Sequence, residues 1–391
     1  MLIAMGSVSM SLYTPAMPTL VAIFRTDPST IKLTLSIYFF GYAFAQLISG
    51  PLSDAWGRRP TTLCFLGMYL AGSTICALAP TVELLLAGRL LQGIGAAGGV
   101  VLSRAIVRDQ FVGQTSARIM NTIGLMVSLG PSFAPTLGGF LLTGFGWHSI
   151  FLLMVGYGFL LVGLVLFILP ETLPQRDFSH LHPRRMLHNY FTLLTDPTFM
   201  RPSMVIGLTL GGLYTMAAIL PFVLVDMVGL TPTQFGLGML VQSGAYISGS
   251  MVVRQALKHR PAHVMVPFGL AIILGAGAAM AIVYRTIEPS FLSIMIPVGV
   301  WAFGIAFIMP AMTTDALANF PKMAGAAAAL TGFMQIGGGF LGTLIAALFG
   351  APLTALATLL PAMGVIAVSL HYGLRYLARK RHQETDTVPA E

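Results

Sequence analysis

The chain has 391 residues, of which 56% are hydrophobic and 9% charged, with 21 Lys and Arg against 13 Asp and Glu. A soluble domain carries about a quarter of its residues as charge, so this composition excludes a water-soluble globular protein and points to a lipid bilayer as the solvent. The net charge of +8 then faces anionic lipid, and no nucleic-acid partner is required to account for it.

Runs free of Asp, Glu, Lys and Arg mark the predicted spans. In chain order they are Met1–Phe24, Leu33–Ser53, Pro60–Val82, Ile119–Pro170, Pro202–Val225, Met227–Val253, Pro261–Tyr284, Pro289–Thr314 and Met323–Leu374. A further stretch, Glu83–Ser103, is interrupted only by Arg89. A spanning helix needs about 20 apolar residues. Ile119–Pro170 and Met323–Leu374 are each long enough for two helices and a turn, broken at Gly144–Trp147 and at Gly350–Pro352. The total predicts an all-α polytopic membrane protein of twelve transmembrane helices.

Local signals fit these boundaries. Asp27-Pro28 starts the second span. Thr231-Pro232-Thr233-Gln234 starts the eighth as a capping box with Pro at the first helical position. Trp147 is expected at the outer membrane interface. Cys64 and Cys76 lie about 18 Å apart along one helix, too far for a disulfide, and read as packing residues. The first span begins at Met1 with no charged leader and no cleavable signal peptide, so translation is expected to start a few residues upstream.

Lys and Arg set the orientation. With the N-terminus inside, all of them fall in cytoplasmic loops or at their edges except Arg25, Lys32, Arg285 and the intramembrane Arg89. The positive-inside rule therefore predicts two cytoplasmic termini. The one long polar stretch, Glu171–Arg201, divides the chain into a six-helix bundle at 1–170, a cytoplasmic linker at 171–201, a second six-helix bundle at 202–374 and a cytoplasmic tail at 375–391. Such duplication is a mark of secondary transporters, whose substrate site lies near the midplane between the halves.

Three motifs carry chemistry. Gly50-Pro51-Leu52-Ser53-Asp54-Ala55-Trp56-Gly57-Arg58-Arg59-Pro60 joins the second and third spans. In it Gly50 is expected to let helices approach closely, Gly57 to permit a positive-φ turn, and Asp54, Arg58 and Arg59 to hold a charge network across the halves. The corresponding loop of the second half, Arg254–Arg260, has basic residues but no Asp, so the network is one-sided. Leu86–Ala97 places Arg89 and Gln92 within the fourth span. An intramembrane Arg costs at least about 2.5–3.5 kcal/mol to insert, so Arg89 is either a functional charge facing protein or water, or a side chain snorkelling to the outer rim. Gly124, Gly130, Pro131, Pro135, Gly138 and Gly139 punctuate the fifth span, where they bend the helix and allow close packing.

These motifs resemble the signature loop, the helix-4 motif and the antiport motif of the major facilitator superfamily. With Tyr13-Thr14-Pro15-Ala16-Met17-Pro18, Gln46 and Arg104–Asp109, the chain is similar over its whole length to the bicyclomycin/chloramphenicol-resistance branch of drug:proton antiporters. The resemblance implies two pseudo-symmetric six-helix bundles in a bacterial inner membrane and export of small drugs driven by proton entry. It also implies a proton-coupling or cavity charge at Arg89 and Gln92, and an Asp54 that faces the start of the eleventh span near Met323–Gly325. One departure is Ser11, where the branch often has an Asp, and no Asp or Glu lies deep in any predicted span.

Polar and aromatic residues within spans are the cavity candidates. They are the aromatics Tyr13, Tyr38, Tyr42, Tyr214, Tyr246 and Trp301 and the amides Gln46, Gln242 and Gln335. No metal, cofactor or partner chain is expected. The partners are protons, the bilayer and a small-molecule drug, neutral or amphipathic, handled by a monomer. Two other readings stay open on the same sequence: a small-metabolite exporter or proton symporter of this fold, and a membrane-embedded enzyme. The scattered histidines, which form no ligand spacing, and the absence of a GxxxxGK[ST] phosphate loop speak against catalysis and against ATP as the energy source.

Overall fold

The structure, a computed structural model, describes residues 1–111, 115, 119, 132–173, 178, 182–320 and 323–386, with side chains as far as 378. Among these residues all regular structure is helical. The first predicted span is divided. Helices α1 (Met5–Tyr13) and α2 (Met17–Ile23) are separated by a tightened 3-10 turn at Thr14–Ala16, where Pro15 and Pro18 lack the N–H groups that a continuous α-helix would use.

The next segments follow the predicted order: α3 (Pro28–Trp56), α4 (Arg58–Ala77), α5 (Val82–Gln110), α6 (residues 132–145) and α7 (His148–Phe167). Then come a short helix in the polar stretch, α8 (Pro183–Thr195), and α9 (Pro197–Pro221), which runs into a π-helical turn at Phe222–Met227. The last five are α10 (Pro232–Ala256), α11 (Met265–Thr286), α12 (Phe291–Ala318), α13 (Ala324–Ala347) and α14 (Pro352–Asp386).

Nine described helices are long and apolar enough to cross a membrane. The other three predicted spans are the divided first one, α6, and α10, whose interior carries Gln242, Ser243, Tyr246, Ser248 and Ser250. Large apolar side chains such as Phe159, Phe167, Ile296 and Leu348 point outward, each more than half exposed, as lipid-facing residues do.

Helix starts match the caps read from the sequence. Thr30 N–H donates to Asp27 Oδ1 at 2.9 Å and its hydroxyl to Oδ2 at 2.7 Å. These bonds hold the Asp27 carboxyl below the usual carboxylate range. Thr231 and Gln234 form the reciprocal box at the start of α10. Trp147 is only 7% exposed and packs on Phe24 at the α2 end, with ring centres 5.5 Å apart.

Packing gathers around two main clusters. One draws mostly on residues between Met5 and Val165, the other on residues between Val205 and Met363. A third, with Leu193, Phe199, Phe320 and Leu330, seats α8 against α9 and α13. Tyr190 on α8 also donates to the Leu47 carbonyl of α3 at 2.7 Å, so the short helix touches both sides of the molecule. Within the first cluster α3 and α5 approach almost backbone to backbone. A Cβ on Gly41 would lie 2.6 Å from the Leu90 carbonyl oxygen, and one on Gly93 would fall on the Tyr38 carbonyl. Gly93→Val is therefore expected to abolish the monodisperse peak of the purified protein in size-exclusion chromatography. Gly163→Val, where a Cβ meets nothing within 4 Å, is expected to leave that peak unchanged.

Candidate functional site

The α3–α5 contact places Arg89 of α5 between two tyrosine faces. Its guanidinium carbon lies 4.5 Å from the Tyr13 ring centre and 4.2 Å from that of Tyr38, within cation–π range. Nη1 donates to Gln92 Oε1 at 2.5 Å. Gln92 in turn donates to Ser73 on α4 at 2.8 Å and to the Met154 sulfur on α7 at 3.2 Å. The rings are themselves pinned. The Tyr13 hydroxyl bonds Thr34 at 2.6 Å, and the Tyr38 hydroxyl donates to the Gly6 carbonyl at 2.9 Å. Arg89 and Gln92 are both 0% exposed. This burial excludes the snorkelling reading. It also corrects the expectation that Arg89, Tyr13 and Tyr38 face the cavity: all three form a sealed box inside the first cluster.

The cavity lies beside that box. It consists of two adjoining chambers of ≈ 600 Å³ and ≈ 340 Å³ that share Met10, Arg104, Tyr214 and Gln335 on their walls. Together they fall within the range of small-molecule sites. Gln46, Tyr42, Tyr214 and Gln335 face the larger chamber, and Gln242, Tyr246 and Ser11 the smaller one. The Gln335 amide donates to the Tyr214 hydroxyl at 3.2 Å. Trp301 is a further correction. It is fully buried, and its Nε1–H donates to the Thr209 carbonyl at 3.0 Å, so it packs the second cluster.

Sequence reasoning misses the charge that does line the cavity. Arg104 stands on both chambers and its side chain is exposed to them. In sequence it reads as a loop-edge basic residue, because Arg108 and Asp109 follow it. α5 in fact continues through Gln110, which sets Arg104 about 9 Å inside the helix end.

At that end the larger chamber reaches Asp54, Arg58, Arg108 and Arg185. Arg58 is the hub of the signature loop. It bonds Asp54 Oδ1 and Ser53 Oγ at 2.5 Å and Asp109 Oδ2 at 2.7 Å. Asp54 and Met323–Gly325 lie on the same chamber wall. Gly57 has φ +106°, and a Cβ there would fall on Glu171 Oε2. Glu171 accepts the Arg58 and Arg59 backbone N–H groups at 2.9 and 3.3 Å, supplying acceptors to the first turn of α4. No local pattern in the sequence singles out Glu171. Arg59 itself donates to the Leu166 carbonyl at 2.7 Å. Gly50 does not make the expected close approach: its Cβ would sit an ordinary 3.7 Å from Val101, since the wall there borders the cavity. The second half has its own ion pair, Arg201 to Asp315 at 2.7 Å, formed away from the acid-free Arg254–Arg260 loop on which the one-sided reading rests.

At the opposite end the described helices touch backbone to backbone. A Cβ on Gly138 would fall on the Leu12 carbonyl, one on Gly139 on the Pro232 carbonyl, and one on Gly236 on the Pro135 carbonyl. Thr136 donates to the Gly236 carbonyl at 2.9 Å. On the α3 side, Ser36 donates to Thr343 of α13 at 2.8 Å. Gly124, Gly130 and Pro131 lie outside the described residues.

A helical membrane bundle with a sealed cation box and a cavity between its two packing clusters is the architecture of a secondary transporter. Comparison with known proteins agrees. The family description "Major Facilitator Superfamily" matches residues 1–343. An uncharacterized MFS-type transporter, YdgK of Bacillus subtilis (strain 168), is 30% identical over 90% of this chain and 87% of its own. A bicyclomycin resistance protein homolog of Haemophilus influenzae is 29% identical over 93% and 91%. The crystal structure of a D-xylose-proton symporter superposes with a TM-score of 0.70 over 94% of this chain and 96% of that one, at 14% identity, a likeness of fold alone. The chain belongs to the major facilitator superfamily and is a multi-pass membrane transporter, not an enzyme.

Glu171→Ala is expected to lower the thermal unfolding midpoint of the detergent-purified protein. The loss corresponds to about 1 kcal/mol, as for a removed helix cap. Glu171→Gln is expected to retain part of it, because its amide oxygen still accepts. Equal midpoints for all three proteins, measured by differential scanning fluorimetry, would show that the capping bonds contribute nothing.

Proposed function

We propose that this transporter is a proton-driven multidrug efflux antiporter of the bacterial inner membrane. It exports small amphipathic drugs, neutral or anionic rather than permanently cationic, and works as a monomer. The observation that carries the reading is the cavity. Its polar wall is contributed by both sequence halves, Gln46 and Arg104 from one and Tyr214, Gln242 and Gln335 from the other, and its apolar lining from Ile206, Leu210, Phe235 and Met239 suits drug-sized ligands. The bicyclomycin resistance protein homolog among its relatives supports a drug as cargo.

In this reading residues 1–170 and 202–374 are the two moving bundles, 171–201 the cytoplasmic linker and 375–391 the cytoplasmic tail. The Asp54 end is cytoplasmic, as the Lys and Arg bias demands, so the cavity is open to the cytoplasm and closed outside by the α6–α10 contact. Gly138, Gly139 and Pro135 then belong to the outer gate. Asp54, Gly57, Arg58 and Arg59 brace the inner one when it closes. Arg89 and Gln92 act on coupling from behind the cavity wall: the fixed charge biases the Tyr13 and Tyr38 helices rather than touching cargo.

The test is a susceptibility panel in a host lacking its own efflux pumps. The full chain is expected to raise the inhibitory concentration of chloramphenicol or bicyclomycin at least about fourfold, a shift of roughly 0.8 kcal/mol in effective exposure. It is expected to leave that of a quaternary ammonium compound unchanged. Selective resistance to the permanent cation alone would overturn the substrate class.

Two variants test the assigned parts. Arg89→Ala is expected to abolish proton-coupled uptake into everted vesicles, and Arg89→Lys to restore only part of it, because a point charge does not reproduce the planar guanidinium stacked on two rings. Full coupling in Arg89→Ala would remove Arg89 from the mechanism. A reporter fused near Arg185 is expected to be active only as a cytoplasmic reporter, and a periplasmic signal there would reverse the orientation.

A further inference from the structure

We propose that Arg104 is the substrate-anion site of the cavity, and that the preferred cargo is an amphipathic molecule bearing one carboxylate or chemically similar oxyanion. The proposal rests on reading the chain as a small-molecule transporter whose two chambers hold cargo. Among the described residues Arg104 is the sole charged one on the wall of the smaller chamber and one of four arginines, against one aspartate, on the larger. It sits where the two chambers meet. Among the described residues its guanidinium has no hydrogen-bonding or ion-paired side chain. Tyr42 and Gln46 stand on the same wall of the larger chamber.

Among the described residues the two chamber walls offer no free counter-ion. Asp54, the only acid among the described residues of either wall, is engaged by Arg58 at the mouth. The position that the resembling branch often fills with Asp is here Ser11, on the smaller chamber. The stretch 112–131 contains no Asp or Glu, so it supplies none. A guanidinium presents five N–H donors in a planar fork matched to a carboxylate. In a cavity of lowered dielectric, an unpaired one attracts an anion far more strongly than it would in water.

The remaining wall complements an amphipathic anion. Tyr42 and Gln335 share the larger chamber's wall with Arg104 and offer an O–H and an N–H donor for the carboxylate. Phe235, Met239 and Leu210 in the smaller chamber receive the apolar part. Arg108 and Arg185 at the mouth draw anions inward. A permanent cation meets Arg104 with no carboxylate to offset it. Arg89 takes no part in this selection, because it is sealed behind Tyr13 and Tyr38.

An isosteric series tests the assignment on the full chain in phosphatidylcholine nanodiscs: 1-naphthaleneacetate, its neutral amide and the cation 1-naphthylmethylammonium, measured by equilibrium dialysis. Wild type is expected to bind the carboxylate at least about tenfold tighter than the amide, and the amide tighter than the cation. Arg104→Gln is expected to remove the carboxylate advantage while keeping the amide affinity, which also verifies that the variant is folded. Arg104→Lys is expected to keep part of the advantage. Unchanged carboxylate preference in Arg104→Gln, preference of the wild type for the cation, or no carboxylate binding at all would each overturn the proposal. Displacement of the carboxylate by phosphatidylglycerol would assign Arg104 to a lipid headgroup and overturn it as a cargo site. The binding series is independent of transport direction. A failed drug-export panel with an intact carboxylate preference therefore refutes export alone.

Discussion

The first packing cluster is organised around a guanidinium with no carboxylate beside it among the described residues. Burying that charge costs at least about 2.5–3.5 kcal/mol on the insertion scale. What offsets the cost is two tyrosine faces and one amide oxygen. Each of these partners holds a further helix in place. Tyr13 ties the end of α1 to Thr34 on α3, Tyr38 ties α3 back to Gly6 on α1, and Gln92 ties α5 to Ser73 on α4 and Met154 on α7. The rings reach Arg89 only because Gly41 and Gly93 let α3 and α5 touch along their backbones. Nε and Nη2 of Arg89 still lack hydrogen-bond partners among the described residues, so the box is balanced rather than saturated, and its geometry is sensitive to any shift of α1 or α3.

The sealed box also separates what is legible in the sequence from what is hidden there. The spans are legible because a charge-free run of about 20 residues is long enough to cross a bilayer and too apolar to face water. The caps at Asp27 and Thr231 are legible because their chemistry is local. Which face of a span meets the cavity is not. An amphipathic surface helix announces its inner face by polarity, but these helices are apolar on lipid-facing and protein-facing sides alike. Tyr13, Tyr38 and Trp301 therefore look equivalent to Tyr42 and Tyr214 in sequence, although the first three are packed away. Arg89 and Arg104 occupy the same helix, and an isolated charge deep in an apolar run draws the eye to Arg89. Arg104, which reaches the cavity, is masked by its basic neighbour Arg108. Glu171 is invisible for another reason: besides the N–H groups of its neighbours Thr172 and Leu173, it caps backbone N–H groups more than a hundred residues away.

The two ends of the molecule are held by different forces. At the Thr231 end the contacts are backbone against glycine, with Gly139 on Pro232 and Gly236 on Pro135, and one hydroxyl bond from Thr136. Such contacts have no tolerance for side-chain bulk, but each carries little directional energy, so the surface can part as a unit. At the Asp54 end Arg58 binds both Asp54 and Asp109, and Glu171 caps the same loop. These bonds join parts of one sequence half. They stiffen the loop, which shares its cavity wall with the first residues of α13. A charge network at one end and glycine packing at the other would, under the proposed transport cycle, give the two ends different ways of opening around a central site.

Acid-free spans pose a problem for any proton-coupled cycle, and Arg104 reframes it. A membrane potential does work on whatever charge moves, about 2.3 kcal/mol per charge per 100 mV. A transporter of neutral cargo must move that charge on its own side chains, and the predicted spans contain no deep carboxylate to do so. Under the Arg104 proposal the cargo brings the charge. An anion leaving a negatively polarised cell is already driven outward by the field, and a proton entering in exchange adds a second charge moving in the favourable sense. The charge on which the potential acts is then the substrate's own, and the fixed guanidinium at the junction of the two chambers is what recruits it.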